Sequence, residues 1–141
     1  TVGIVTMWHV LEHVFHLNER IEEIYRIMTP GGTLIVAVPN HTSYDASYYK
    51  EHWAAYDVPR HLYHFSPKDI DTLFTKHKFK LEKVLPMVFD SFYVSMLSEK
   101  YKNGSGNIFY AFLTGLRSNL KAKGKANTYS SQIYILKKQW F

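Results

Sequence analysis

Two short blocks, Val2-Gly3-Ile4-Val5-Thr6-Met7 and Thr33-Leu34-Ile35-Val36-Ala37-Val38, are rich in β-branched residues and carry almost no polar side chain. Continuous apolar runs of this length suit strands covered on both faces, as in a parallel sheet. Between them Ile21, Ile24, Tyr25 and Met28 recur at helical spacing. Asn18 is placed to cap that helix, with Glu19, Glu22 and Glu23 in its first turns and Arg26 near its end, matching the helix dipole. Pro30-Gly31-Gly32 then stops it, because proline cannot continue a helix and glycine accepts positive φ. Strand, helix, glycine turn and strand predict a βαβ unit with parallel strands and a right-handed crossover.

Residues 40–65 lack a clear period and concentrate aromatic and basic side chains, which predicts a binding loop. Ser66-Pro67-Lys68-Asp69 restarts order with a serine N-cap and proline in the first turn. The helix it opens should reach about His77 and bury Ile70, Leu73 and Phe74, and residues 79–85 alternate as a strand. From Ser91, the residues Phe92, Tyr93, Met96, Leu97 and Tyr101 follow helical spacing until Asn103-Gly104-Ser105-Gly106 interrupts them. Phe109, Phe112, Leu113, Leu116 and Leu120 repeat the pattern in a second helix. The pair reads as a helical insertion over about 90–125, its apolar stripes facing the core, before a last strand at 130–137.

At 141 residues and 46% hydrophobic, the chain can bury one sizeable core, so residues 1–141 are read as one domain. The absence of cysteine excludes disulfides and thiolate metal sites, in keeping with a cytoplasmic protein. No apolar run approaches the roughly 20 residues of a spanning helix, and no signal-peptide pattern is present. The net charge of +5 lies mostly beyond residue 76 and favours an anionic partner. A nucleic-acid partner is not expected, since no basic and aromatic groove motif is visible. The chain opens directly on a strand and without methionine, which suggests a piece of a longer protein.

His9-Val10-Leu11-Glu12-His13 spells H-x-x-E-H, the pattern in which some zinc peptidases carry two ligands and a general base on one long helix. Here it follows a buried strand at once, so the peptidase reading is set aside and no metal site is expected. In open α/β sheets, ligands bind beyond the carboxyl ends of the strands. Thr6, Met7, Trp8 and His9 lie at one such end, and Val38, Pro39 and Asn40 at its neighbour.

A strand leading into Trp8-His9-Val10-Leu11-Glu12-His13-Val14, the run PGGTLIVAVPN from Pro30 to Asn40, and W-x-x-x-D-x-P-R-H-L-x-H-F-S-P from Trp53 to Pro67 together resemble the C-terminal half of class I S-adenosylmethionine-dependent methyltransferases. The likeness is nearest to the bacterial branch grouped with quinone-biosynthesis enzymes. It implies an α/β fold: a partial Rossmann-like sheet of family strands 4 to 7 in the order 4-5-7-6, the last antiparallel, with helices on both faces. It implies S-adenosylmethionine as cofactor, lined by Thr6, Met7, Trp8 and His9. Asn40, Trp53 and Arg60 would contact the acceptor, a small molecule, glycan or lipid-linked intermediate. Methyl transfer mainly needs alignment of acceptor and methyl group, and where a proton must leave, His61 and His64 are the candidate bases. The family's glycine-rich cofactor loop would lie upstream of Thr1, and Gly104-Ser105-Gly106 follows no strand. This chain alone is therefore expected to bind the cofactor weakly or not at all. Its open sheet edge could pair with a second copy, and a non-catalytic half-domain that associates with another chain is the alternative.

Overall fold

The computed structural model describes residues 1–124 and 128–140. Four strands, β1 (Val2–Trp8), β2 (Met28–Pro39), β3 (Phe79–Pro86) and β4 (Ser131–Lys138), form one sheet in the order β1-β2-β4-β3. β1 and β2 are parallel, and β4 runs antiparallel to both of its neighbours. This is the order and direction that the resemblance implies.

Helix α1 (Leu17–Ile27) joins β1 to β2, and α3 (Pro67–Lys76) precedes β3. Ile21 and Ile24 of α1 and Ile70 and Phe74 of α3 share a single core with Leu34, Val36, Tyr134 and Leu136, so these two helices lie on one face of the sheet. Both crossovers advance in the same direction across the sheet, and right-handed connections that do so place their helices on one side. β1 is accordingly not covered on both faces: of its residues only Met7 is buried, while Val2, Ile4, Thr6 and Trp8 are exposed.

Local chemistry explains where α1 and α3 begin and end. Ser66 caps α3 through a reciprocal capping box with Asp69, as the sequence predicts. Asn18 does not cap α1: it sits inside the first turn, and its Oδ1 accepts from His77 Nε2 at 2.8 Å, tying α1 to α3. Pro30-Gly31-Gly32 does not separate helix from strand either. β2 begins at Met28, and the triplet forms a bulge where the β1–β2 register jumps. Gly31 takes φ +70° there, and a Cβ on Gly32 would lie 2.9 Å from the Thr29 carbonyl.

Residues 40–65 contain α2 (Tyr44–Tyr49) and short 3₁₀ turns, and Asp45 of this segment accepts from Trp53 within it and from Ser118 and Ser130 outside it. Helices α4 (Asp90–Asn103) and α5 (Ile108–Gly124) form the predicted hairpin, but of the expected apolar stripes only Phe92, Leu97 and Leu113 are half-buried and the rest are exposed. The interior stripe is Ser91, Ser95 and Ser98 on α4 and Ala111, Gly115 and Ser118 on α5, while Tyr93, Met96, Phe109, Phe112 and Leu120 point outward. Small residues at i, i+3, i+4 and i+7 let two helices approach closely, which hydrophobic spacing alone does not reveal. Gly115 sits at the closest approach, where a Cβ would meet Phe92 Cδ1 at 2.7 Å and its Cα at 3.1 Å. Gly115→Val is expected to destabilise the protein by about 1–3 kcal/mol through overpacking, read as a lower urea midpoint. An unchanged midpoint contradicts the close packing. Lys125, which the sequence places at the end of this insertion, lies outside the described residues.

Candidate functional site at the carboxyl ends of the strands

At the end of β1 the His9 amide still donates to Ala37 O at 2.9 Å, but the His9 backbone has φ +51° and turns the chain out of the sheet. A single 3₁₀ turn, Leu11–His13, follows. His9 and His13 therefore do not share a helix, and the geometry of the zinc peptidase motif is absent. The His9 ring instead lies between two carboxylates, with Nε2 3.3 Å from Asp90 Oδ2 and Nδ1 3.3 Å from Glu12 Oε1. Asp90, then Glu12, push its pKa up to about 9, so the ring is an imidazolium at neutral pH. Burial opposes ionisation of Asp90, yet the adjacent His9 cation keeps its carboxyl below the usual range.

The loop after α2 is fastened to this rim. Asp57 Oδ1 accepts from both Nε and Nη2 of Arg60, at 3.0 and 2.6 Å, and the His61 amide donates to Asp57 O. The Leu62 amide donates to Glu12 O at 2.8 Å, and the His13 and His61 rings meet edge to face with centroids 4.6 Å apart. His13 Nδ1 lies 2.9 Å from Arg60 O, and His61 Nδ1 lies 2.7 Å from Ala55 O. Among the described residues one group, Glu12, His13 and His61, brings three metal-ligand atoms within 4.8 Å of one another.

Between rim, loop and α4 lies a cavity of about 410 Å³, lined by His9, Asp57, Arg60, His61, Asp90 and Tyr101 among others. It joins two cationic side chains to a histidine whose Nε2 is not engaged by a backbone group, with aromatic side chains from α4 on the far wall. Such a site can hold an anionic or polyoxygenated ligand and move a proton at His61 Nε2.

The predicted residues fall into three groups. His9, Arg60 and His61 line this cavity. Thr6 and Trp8 lie on the open face of the sheet, with Trp8 50% exposed, while Met7 points into the core. Asn40 and Trp53 are buried and His64 lies exposed at the surface, and none of the three lines the cavity. Asn40 Nδ2 donates to Tyr129 O and Gln132 Oε1, Trp53 Nε1 donates to Asp45 Oδ2 at 2.8 Å, and His64 Nε2 lies 2.9 Å from Tyr56 O. Sequence reasoning missed Asp90 and Tyr101. Asp90 opens α4 and so reads as an ordinary first-turn acid, and nothing local ties it to His9.

The fold recurs in solved structures. A SAM-dependent methyltransferase of Thermotoga maritima, described as a possible histamine N-methyltransferase, superposes with TM-score 0.63 at 17% identity over 97% of this chain and 56% of its own. A Methanosarcina mazei SAM-dependent methyltransferase gives 0.57 at 14% identity, over 99% and 60%. Phosphoethanolamine N-methyltransferase 2 of Haemonchus contortus, solved with phosphomonomethylethanolamine and S-adenosylhomocysteine, gives 0.53 at 18% identity, over 98% and 34%. This chain thus spans from about a third to three-fifths of the length of these proteins. No curated protein matches it in sequence. At such identities the superpositions establish the fold, but the sequence profile of the methyltransferase domain matches residues 1–84, which contain β1, α1, β2, the loop and α3. The chain belongs to the methyltransferase domain family.

Proposed function

We propose that the protein takes part in S-adenosylmethionine-dependent methyl transfer to an oxygen-rich or anionic acceptor held in the cavity between His9, Arg60 and Asp90. The observation that carries this reading is the position of that cavity at the carboxyl ends of β1 and β2, where open α/β sheets bind ligands. The exposed Thr6 and Trp8 beside it suit the cofactor, Trp8 by offering a half-exposed flat ring. The cofactor supplies an electrophilic methyl group. The chain's own residues hold and orient the acceptor: Arg60, 73% exposed at its side chain and steadied by Asp57, presents a planar fork, and His9 adds a second fixed cation. His61, rather than His64, offers Nε2 toward the acceptor for its departing proton.

A lipid-linked acceptor, as in the quinone-biosynthesis branch, is supported by the outer face of the α4–α5 hairpin. Its aromatic residues are accompanied by exposed Lys100, Lys102, Arg117, Lys121 and Lys123, whereas its acids are the largely buried Glu99 and the paired Asp90. Apolar side chains flanked only by cations suit an anionic lipid surface. Among the described residues no helix is long and apolar enough to cross a membrane.

Two measurements test the proposal. Calorimetric titration of the 141-residue chain with S-adenosylmethionine is expected to show no micromolar binding, since none of its glycines forms a loop following a strand and opening a helix. In the parent-length enzyme, Arg60→Ala is expected to lower kcat/KM for tritiated methyl transfer at least about 10-fold, mainly through KM. Transfer unaffected by that substitution places the acceptor elsewhere.

A further inference from the structure

We propose that Glu12, His13 and His61 form a binding site for a first-row divalent transition-metal ion. The inference stands on geometry and does not require methyl transfer, although a bound ion takes the His61 Nε2 that the proposed function gives to the departing proton. Glu12 is 1% exposed, and neither of its carboxylate oxygens accepts a hydrogen bond. A buried carboxylate without donors is costly, and in native proteins such an orphan points to an unseen proton, water or ion. The His9 imidazolium stands 3.3 Å from Oε1 but without hydrogen-bond geometry, so it offsets part of the charge while both oxygens stay without a donor.

What surrounds Glu12 favours an ion. Both histidines direct Nδ1 at a backbone carbonyl, His13 at Arg60 O and His61 at Ala55 O. A carbonyl only accepts, so Nδ1 carries the proton, and in each neutral ring Nε2 keeps its lone pair. Metal-binding histidines are oriented in this way, with the far ring nitrogen donating to a carbonyl or carboxylate. His61 Nε2 lies 3.9 Å from Glu12 Oε1, and one ligand atom from each residue falls within 4.8 Å of the other two. Metal–ligand bonds of about 2.1 Å require tetrahedral donors roughly 3.4 Å apart, a contraction that side-chain rotation can supply. Without an ion, the His61 Nε2 lone pair stands 3.9 Å from a buried carboxylate oxygen that accepts no hydrogen bond.

Two imidazoles and one carboxylate suit zinc and its first-row neighbours better than magnesium or calcium, which prefer oxygen. Three protein ligands leave a position open on the cavity side, where Asp57 Oδ2, 3.8 Å from His61 Nε2, or an oxygen of a bound ligand can enter. His9 is not among the ligands, which separates this site from the H-x-x-E-H pattern. With an ion bound, the His61 lone pair is no longer free for a proton, and the metal acidifies a coordinated hydroxyl instead.

The test uses the 141-residue chain freed of metal by chelator and titrated with zinc by calorimetry and with cobalt by visible absorption. One equivalent per chain and a cobalt spectrum of low-symmetry coordination are expected. His13→Gln, at an exposed position, and Glu12→Gln are each expected to weaken zinc binding at least about 100-fold. Substituting His16 and His52, which lie outside the cluster, should leave it unchanged. Thermal melts of the metal-free variants verify folding, and zinc should raise the melting temperature of the unsubstituted chain but not of the variants. No stoichiometric binding, or binding indifferent to His13→Gln and Glu12→Gln, overturns the proposal.

Discussion

Asp45→Ala is expected to lower the unfolding free energy by about 3–5 kcal/mol, a large share of what a domain of this size commands. Asp45 is fully buried, and its carboxylate accepts from Trp53 Nε1 at 2.8 Å, Ser118 Oγ at 2.8 Å and Ser130 Oγ at 2.7 Å. These donors come from the loop, from α5 and from the residue before β4, so one side chain joins three separate parts of the chain. Alanine leaves three buried donors with no acceptor, each costing about 1–3 kcal/mol less whatever water recovers. Asp45→Asn keeps the volume and can still accept from Trp53 and Ser130 while its amide donates to Ser118, so its cost should be nearer 1–2 kcal/mol. Urea denaturation gives both values. Amide exchange should show α5 loosening before the sheet in the alanine variant. A loss below about 1 kcal/mol for Asp45→Ala contradicts the role assigned to this network.

Phe74→Ala should cost about 3–5 kcal/mol by a different mechanism, loss of transfer energy plus the cavity left behind. Phe74 lies on α3, fully buried, and its ring meets Phe79 of β3 edge to face at 5.8 Å, so it joins helix to sheet at the centre of the main core. Phe89→Ala is the matched control. The same side chain is 86% exposed there, and its removal should change stability by no more than about 0.5 kcal/mol. Similar values for the two variants would mean that the core is not where the structure places it.

The elements were legible because their signals are local. β-branched runs gave β1 and the second half of β2, and Ser66 with Asp69 gave the start of α3. Asn103 to Gly106 gave the break between α4 and α5, where Gly104 adopts φ +71°. Errors arose where two local readings compete. Asn18 has a capping side chain but faces His77 across the helix pair. Gly31 and Gly32 read as a turn but form a bulge, since pairing with β1 resumes after a register jump. In the hairpin, the large apolar and the small residues both recur at helical period, and hydrophobicity alone selects the wrong stripe.

The site was legible in part. The W-x-x-x-D-x-P-R-H segment and the rim after β1 singled out His9, Arg60 and His61. They also singled out Trp53, which the tertiary structure assigns to the buried network around Asp45. What the sequence determined by itself is the succession of elements, their caps and the membership of a methyltransferase domain family, because periodicity, capping and motif spacing act within a few residues. Only the tertiary structure decided that Glu12 and His13 meet His61, that His9 meets Asp90, and that α4 and α5 pack through serine, alanine and glycine. Those contacts join positions far apart in the chain, and their energies depend on how closely whole helices and loops approach, which no local window contains.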